Sequence, residues 1–448
     1  MSKAEELGTD DIGALLLKQG LPASIGILTL SIYFIVDTIF VGHYVGRLGI
    51  AAITVVLPIT FLISSVGMAI GVGGATIISR ALGVNDKEKA QLVLGNQLAL
   101  SGILGLLFVL LFFLFRDQLL LLFGAQGAIM PYAKTYFEVL IIGVFPLVFA
   151  MMLNNVLRAE GKAKFAMLVM IAPAVTNVAL DFLFIAYFEW GIAGAAWATN
   201  FAYLISASMA VFFFVSGRTE LYPRLNDICL EGKIIMEIIS IGSITLARQA
   251  TISLLSLILN NSLFSLGGDL AVATWGIINR SMMFAIFPVL GVTQGFLPIV
   301  GYNYGARQWA RVREVINKAM LAAFLLGGIS MLGIYYFADA IAPLFSSDQP
   351  LIEASPNAIR LCFLAVPLVG IQLISSAYFQ AIGKAFPALI LTLMRQGFLL
   401  IPLLLLLPNF FGLNGIWYSF PLADSLSALI CFAYLRLHMK RKVAIYGK

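Results

Sequence analysis

The stretch "AMLVMIAPAVTNVALDFLFIAY" (166–187) contains a single charged residue, Asp181. About 20 consecutive apolar residues in an α-helix span the ~30 Å hydrocarbon core of a bilayer. Runs of this kind recur along all 448 residues, of which 61% are hydrophobic and only 11% are charged. A soluble domain carries about 25% charged residues, so this chain has too little polar surface for a water-soluble globule. We therefore predict an all-α polytopic membrane protein.

The hydropathy pattern divides the chain into twelve apolar segments, each long enough for one membrane-spanning helix. The predicted segments are 21–41, 52–76, 92–115, 136–157, 166–187, 192–215, 238–263, 272–299, 319–337, 360–380, 386–407 and 414–436. The N-terminus is polar and of mixed sign, which indicates no cleavable signal peptide. The three cysteines are far apart and show no metal-binding spacing. We expect no metal site and no cofactor.

Lysine and arginine are concentrated in alternate connections between these segments. Stretches such as "SRALGVNDKEK" (79–89) and "GARQWARVREVINK" (305–318) hold most of the 28 basic residues, and the connections between them hold few. The positive-inside rule places the basic connections and both termini in the cytoplasm. This predicts a multi-pass protein of the bacterial cytoplasmic (inner) membrane. It also accounts for the net charge of +6, so no nucleic-acid partner is expected.

The second half of the chain repeats motifs of the first half, in the same order, about 222 residues later. The matched pairs include "RAEGKA" (158–163) with "QAIGKA" (380–385) and "WGIAGAAW" (190–197) with "FGLNGIWY" (411–418). Because six spans per copy is an even number, both copies face the same way across the membrane. We predict two pseudo-symmetric six-helix lobes, residues 1–220 and 221–448, around a central cleft. Such a duplication favours an alternating-access transporter over a bundle that serves only stability.

Three acidic residues, Asp37, Asp181 and Asp424, fall deep inside predicted spans, where an ionisable side chain is costly and indicates function by default. At about 1.5 Å per residue, Asp37 and Asp181 each lie roughly 22–24 Å from the inner face. Thr199 and Asn200 lie at the same depth on the sixth segment. Polar groups from three segments of the first lobe therefore share one layer, for which we predict a cation-coupling site.

Each carboxylate of this layer has a hydrogen-bonding neighbour one helical turn away. Asn177 precedes Asp181 by four residues and Tyr33 precedes Asp37 by the same spacing, so each pair stacks on one helix face. Tyr33 and Asn200 are expected beside the site or in a substrate cavity. A buried carboxylate favours its neutral form, and two close together favour sharing one proton. The alternatives are Na⁺ held by Asp37, Asp181 and Asn177, or neutral side chains that only hold helices together.

The second lobe has different intramembrane charges and lacks the acidic residues that would match those of the first lobe. These charges are, in chain order, Arg248, Arg280, Arg395 and Asp424. Arg395 and Asp424 each lie about 9–10 residues inside their spans, counted from opposite faces, so both are near the midplane. We predict an ion pair between them, as part of a structural salt-bridge network. Arg248 and Arg280 can also pair with Asp424, or they can contact an anionic group. Cation coupling is then confined to the first lobe.

Several motifs together resemble those of one transporter family. They are "VDTIFVG" (36–42), "GVGGATIISRALGVND" (71–86), the stretch 157–200, "GFLPIVGYNYGA" (295–306) and "QAIGKAFPALI" (380–390). In these motifs the chain resembles the multidrug and toxin extrusion (MATE) family, in its DinF-like and MepA-like bacterial branch. The resemblance implies the MATE/MOP-type fold of two six-helix lobes and a cation/drug antiporter. It also implies a cation site at Asp37, Asn177, Asp181 and Thr199, and no sodium site of the NorM type in the second lobe.

The sequence thus predicts a secondary active multidrug efflux antiporter and not an enzyme. We expect it to export amphipathic, cationic organic compounds, antibiotics among them, in exchange for H⁺, with Na⁺ as the alternative ion. Its partners are then small organic molecules and membrane lipid, and a monomer is expected. The alternative within the superfamily is a flippase for lipid-linked precursors, in which Arg248, Arg280 and Arg395 would hold a pyrophosphate.

Overall fold

The computed structural model describes residues 3–217, 219–222, 227–345 and 349–446, and over these ranges the chain forms helices and no strands. The helices of the first repeat are α1 Lys3–Thr9, α2 Ile12–Tyr44, α3 Arg47–Gly83, α4 Lys87–Leu122, α5 Ile129–Ile142, α6 Val144–Ala159, α7 Ala163–Asp181 and α8 Gly191–Val215. Those of the second repeat are α9 Gly232–Gly305, α10 Trp309–Tyr336, α11 Ala338–Phe345, α12 Gln349–Phe363, α13 Val366–Ala381, α14 Ala385–Leu393, α15 Ile401–Leu406, α16 Pro408–Phe411 and α17 Leu413–Tyr446. The π-helical segments are Phe182–Tyr187 and Met394–Leu400.

Nine helical stretches of the described chain are long and apolar enough to cross a membrane, and two bent pairs, α5–α6 and α12–α13, bring the number to eleven. Helix α9 has 74 residues, which is about 111 Å if straight and more than three times the ~30 Å hydrocarbon thickness. Its backbone leaves the helical region at Gly268 (φ 60°, ψ −155°), a conformation open to glycine. Helix α9 therefore supplies two spans. The described ranges hold the twelve spans predicted, and the all-α polytopic fold is confirmed.

The outer faces of the spans carry the apolar side chains that a bilayer requires. On α4, Leu106, Leu110, Phe113 and Leu114 are all more than half exposed, and only 17% of this span is buried. In water an apolar surface of this extent would promote association. Lipid tails are as apolar as these side chains, so the same surface is tolerated in a membrane.

The helices extend beyond the predicted apolar segments at several ends. Helix α2 starts at Ile12, whereas hydropathy places the start of the first span near residue 21. Helix α4 starts at Lys87, where the Asp86 side chain accepts a hydrogen bond from the Lys89 backbone N–H at 2.9 Å. This N-cap satisfies a donor that the helix itself leaves free. Hydropathy missed the first turn of α4 because its residues are polar. Ahead of residue 21, the apolar stretch of α2 is interrupted by Lys18 and Gln19.

The glycine-rich stretch "GVGGATIISR" (71–80) lies on α3 and lets three other helices approach its backbone closely. A Cβ atom added at Gly71, Gly73 or Gly74 would come closer than 3.0 Å to atoms of α6, α9 and α4, respectively. The tightest of these contacts is at Gly74, where the added atom would lie 2.0 Å from the Gln97 side chain. The stretch therefore serves helix packing, as small residues do in other membrane bundles.

Contacts divide the chain into two compact units. Unit 1 comprises Met1–Thr9 and Ile25–Leu246, and unit 2 comprises Asp10–Ser24 and Ala247–Lys448. Each unit contains a buried apolar core of its own. The chain changes unit inside two helices, α2 and α9, so each of these helices contributes to both units.

The polar stretch between the repeats is attached to α4 of unit 1. The Gln91 side chain exchanges two hydrogen bonds with the backbone of Tyr222, donating to its carbonyl and accepting from its N–H. Asn96 Oδ1 accepts a hydrogen bond from the Glu231 backbone N–H at 2.7 Å. Side chains of a membrane helix thus replace the water that would otherwise satisfy the backbone of this connection.

Glu160, between α6 and α7, is a third attachment point for the same stretch. It is fully buried, and its Oε1 accepts a hydrogen bond from the Leu221 backbone N–H at 3.1 Å. Its Oε2 is buried without a hydrogen-bond partner among the described residues. The pKa of the Glu160 carboxyl is raised from 4.5 to about 8, mainly by burial. Nearby Glu220 also contributes to this rise, whereas the Leu221 N–H and Lys162 act against it.

Candidate cation site

Two buried carboxyls from different helices of unit 1 contact each other. Asp37 of α2 is 5% exposed, and Asp181, the last residue of α7, is fully buried. Their carboxyl groups lie within interaction range of one another. Because two neighbouring carboxylates repel each other in a buried site, this arrangement favours a proton on one of the two groups. The two residues that the depth estimate places in one layer are therefore in direct contact in the structure.

Asp181 lies where the helix type changes. Helix α7 ends at Asp181, and the π-helical segment Phe182–Tyr187 continues the same span. A π-turn adds a residue to the helical register and is found frequently at functional sites. Phe184 of this segment stacks on Trp190, with ring centroids 4.8 Å apart. The backbone that follows the buried carboxyl is thus held in an unusual conformation by packed aromatic side chains.

Asn177 links the carboxyl pair to α8. In the amide orientation that satisfies both neighbours, its Nδ2 donates to Asp181 Oδ2 at 3.1 Å, and its Oδ1 accepts from the Thr199 backbone N–H at 3.2 Å. Asn177 is fully buried and Thr199 is 4% exposed. The structure thus brings together Asp37, Asp181, Asn177 and Thr199, which come from three different helices.

Three tyrosines surround the pair. Tyr33, one turn before Asp37 on α2, interacts with Tyr203 of α8, and Tyr136 of α5 interacts with Thr199. All three phenols lie close enough to Asp37 to interact electrostatically with its carboxyl. Tyr33 was expected beside the site from its spacing. Tyr136 and Tyr203 were missed, because a tyrosine in an apolar span looks like an ordinary packing residue.

Each carboxyl retains one buried oxygen that lacks a donor. Oδ1 of Asp37 and Oδ1 of Asp181 have no hydrogen-bond partner on the described chain, and no described Lys or Arg acts on either group. A buried carboxylate without a positive partner is costly. The described residues contain no group of three or more His, Cys, Asp or Glu side chains that could hold a metal ion. A cation bound here would therefore be held by two carboxyls and by neutral oxygens, a set that suits H⁺ or Na⁺.

Asn200 contacts a different feature of unit 1. Its Nδ2 donates to the Val139 carbonyl at 2.6 Å, close to the junction where α5 and α6 meet at 54°. A Cβ atom added at Gly143, in this junction, would lie 2.0 Å from Asn200 Oδ1. The described contacts of Asn200 thus stabilise the bend of the fourth span and do not include the carboxyl pair.

In unit 2 the structure brings Arg395 and Asp424 together. Arg395 Nε lies 2.5 Å from Asp424 Oδ1, and Nη2 lies 3.5 Å from Oδ2. Arg280 instead lies over the Phe345 ring, with its guanidinium carbon 5.9 Å from the ring centroid. Arg248 is half-buried. In the part of the chain that the structure describes, neither of these two arginines pairs with Asp424.

Comparison with known proteins identifies relatives over nearly the whole chain. The MatE family model matches residues 22–183 and again residues 245–406, once in each repeat. The multidrug export protein MepA of Staphylococcus aureus (strain N315) is 27% identical over 409 residues, which cover 91% of this chain and 90% of MepA. A solved structure described as the outward-facing conformation of a multidrug resistance MATE family transporter of the MOP superfamily has 28% identity and a TM-score of 0.93, and covers 98% of this chain and 99% of that chain. A structure of MATE in the bent conformation gives a TM-score of 0.94 at 27% identity and covers 100% of both chains.

Proposed function

Because the chain belongs to the MATE family of transporters, we propose that it is a secondary active multidrug efflux antiporter. It exports amphipathic organic cations in exchange for H⁺ that enters from outside. Export of several compounds is supported by the relatives, which include a multidrug export protein and a multidrug resistance transporter. The exchange with H⁺ is supported by one observation above all: the buried carboxyls of Asp37 and Asp181 lie within interaction range of each other, with no described basic residue acting on them.

In the proposed cycle, Asp37 and Asp181 share the coupling proton. While the proton is present, a hydrogen bond joins α2 to α7. When the proton leaves, two negative charges face each other in a medium of low dielectric, so the helices are driven apart. Asn177 orients the Asp181 carboxyl through its Nδ2, and Thr199 fixes Asn177. The coupling event is therefore the making and breaking of one contact between two helices.

Helix α2 is suited to transmit this event. Pro22 lies inside α2, and a proline removes a backbone hydrogen bond and permits a bend. The chain passes from unit 2 to unit 1 between Ser24 and Ile25, close to this proline. A displacement of Asp37 would thus move the part of α2 that belongs to unit 1, and we propose that this changes the affinity for the exported compound.

Transport by purified protein in liposomes tests the ion. A pH gradient in sodium-free buffer should drive uptake of a fluorescent organic cation such as ethidium, and a sodium gradient alone should not. Transport driven only by sodium would show that the same carboxyls bind Na⁺, for which carboxylate and amide oxygens are also suitable ligands. Transport driven by neither gradient contradicts the antiporter.

Substitutions test the site itself. Asp37→Asn and Asp181→Asn should each abolish transport driven by the pH gradient, because an amide cannot release the coupling proton. Asp339→Asn is the matched control: Asp339 has a side chain that is 70% exposed and is bridged to Arg360 on the surface. Proton-driven transport at the wild-type rate in both buried-site variants would refute the proposed role of the pair.

Location and assembly are part of the proposal. We propose a bacterial cytoplasmic membrane protein with both termini in the cytoplasm, which the distribution of Lys and Arg supports. We further propose that the protein acts as a monomer surrounded by lipid, and that the sequence repeats divide at residues 220 and 221. The flippase alternative is weaker than the sequence alone suggested. One of the arginines that it needs for a pyrophosphate, Arg395, is already paired with Asp424.

A further inference from the structure

The most deeply buried salt bridge among the described residues joins Arg395 and Asp424. Asp424 lies on α17 with its side chain 1% exposed, and Arg395 lies in the π-helical segment Met394–Leu400 with its side chain 11% exposed. Two N–H groups of the guanidinium face the two carboxylate oxygens, at 2.5 Å and 3.5 Å. This fork geometry is the one in which a guanidinium binds a carboxylate most strongly. On the described chain, Arg395 is the charged group that acts on Asp424.

The other described neighbours of Asp424 are weak partners. The buried Cys362 thiol of α12 lies within electrostatic range of the carboxyl. The Ser427 hydroxyl donates to the main-chain oxygen of Asp424 at 3.1 Å and not to its carboxylate. Among the described residues, Arg395 is therefore the one that compensates the negative charge of Asp424. A buried ion pair of this kind is seldom the best way to stabilise a bundle, because packed apolar side chains do as well or better.

The two units treat their buried carboxyls in opposite ways. In unit 1, Asp37 and Asp181 each have an oxygen without a donor, and no described basic residue acts on them. In unit 2 both oxygens of Asp424 face a guanidinium. One arrangement is open to a cation from outside the chain, and the other is already filled by a cation that belongs to the chain.

The repeat relates the two arrangements in position. Aligning "WGIAGAAW" with "FGLNGIWY" places Asp424 at the position of Tyr203, one of the tyrosines around the carboxyl pair of unit 1. Aligning "RAEGKA" with "QAIGKA" places Arg395 at the position of Pro173, one helical turn before Asn177 on α7. In each repeat this span also contains a π-helical segment, which follows Asp181 in the first repeat and includes Arg395 in the second. The ion pair therefore occupies, in the second repeat, the region that holds the cation site in the first.

We infer that Arg395 is a built-in counter-cation: its guanidinium occupies a second monovalent-cation site of which Asp424 is the anionic ligand. In this arrangement unit 2 neither takes up nor releases a cation during transport. The inference rests on the proposed function in so far as unit 1 is the unit that exchanges the coupling ion. It goes further, because it assigns a latent cation site to unit 2 and names its permanent occupant.

Removal of the tethered guanidinium should open the site to a free one. In Arg395→Ala, guanidinium chloride at concentrations well below those that denature should raise the Tm of the purified protein. Urea, a neutral molecule of the same shape, should not raise it. Wild type and the double variant Arg395→Ala/Asp424→Asn should show no such stabilisation by guanidinium. Equal responses of folded Arg395→Ala to guanidinium and to urea would overturn the inference.

A second measurement remains decisive if Arg395→Ala does not fold. The neutral double variant Arg395→Gln/Asp424→Asn removes both charges together, which leaves no unpaired buried charge. It should retain proton-driven transport and the wild-type number of protons moved per substrate molecule. Loss of coupling in this variant, with the protein folded, would place Asp424 in the exchange machinery and contradict the inference. Failure of the proposed function is a separate result, because it is read from Asp37→Asn and Asp181→Asn.

Discussion

Replacement of Glu160 by glutamine is expected to stabilise the protein, and the more so the higher the pH. Burial raises the pKa of this carboxyl from 4.5 to about 8 in the folded protein. At about 1.36 kcal/mol per pKa unit, ionised Glu160 then costs the folded state about 5 kcal/mol. At a pH below the pKa of the unfolded state, Glu160 is protonated in both states and the cost is absent. The cost grows as the pH rises between the two pKa values and is constant above the pKa of the folded state.

Glutamine removes this cost while keeping the shape of the neutral carboxyl. Its Oε1 can still accept the hydrogen bond from the Leu221 N–H that Glu160 accepts at 3.1 Å. At about pH 5 the Tm of Glu160→Gln should therefore be close to that of wild type. At about pH 9 the Tm of the variant should be clearly higher, because the substitution then removes the whole cost of burying an ionised Glu160. The measurement is thermal unfolding in detergent at a series of pH values.

The same substitution at an exposed glutamate is the control. Glu88→Gln, in the first turn of α4, changes the charge by the same amount at a residue exposed to solvent. Its Tm difference from wild type should be small at every pH. A Tm difference for Glu160→Gln that does not change with pH would refute the reasoning, and so would a variant less stable than wild type in alkaline buffer.

Three further substitutions follow from the geometry. Asn177→Ala should impair proton-driven transport while the protein stays folded, because the Asp181 carboxyl loses the donor that lies 3.1 Å away. Wild-type transport rates of this variant in liposomes would contradict the prediction. Gly73→Ala should lower the free energy of unfolding by about 1–3 kcal/mol, because the new Cβ would lie 2.3 Å from the Ile238 carbonyl oxygen. The control is Gly276→Ala, whose Cβ would meet no atom within 4 Å and should not lower the Tm. Arg360→Gln removes a salt bridge whose partner side chain is 70% exposed, so the loss in a thermal melt should be about 0.2–1 kcal/mol and should vanish in high salt.

The composition predicted the fold class because a membrane span must consist almost entirely of apolar residues, which can be recognised in the sequence directly. A span must be apolar over about 20 residues, so a carboxyl inside it stands out. The rise per residue then gives its depth. This is why Asp37, Asp181 and Thr199 could be assigned to one layer before any contact was known. Asn200 was assigned to the same layer, but the structure places its side chain on the Val139 carbonyl instead. The same depth estimate placed Arg395 near Asp424, since both lie far from either membrane face.

The parts that escaped prediction depend on helix register and on burial outside the spans. Nothing in the residues 182–187 reports a π-turn, because it is defined by backbone hydrogen bonds and not by polarity. Tyr136 and Tyr203 are polar only at their tips and pass as packing aromatics. Glu160 lies in a basic connection, where hydropathy predicts exposure, yet the structure buries it fully. The change of unit inside α9 was also hidden, because it follows no break in composition.

The sharing of α2 and α9 between the units has a consequence for fragments of the chain. A fragment that ends at residue 220 lacks 221–246, which belong to unit 1, and carries Asp10–Ser24, which belong to unit 2. Each half of the sequence therefore contains a segment that packs in the compact unit formed mainly by the other half. We therefore expect that two co-expressed halves would rebuild both compact units only by exchanging these segments. The gene duplication that the repeats record has thus produced halves that depend on each other for completion.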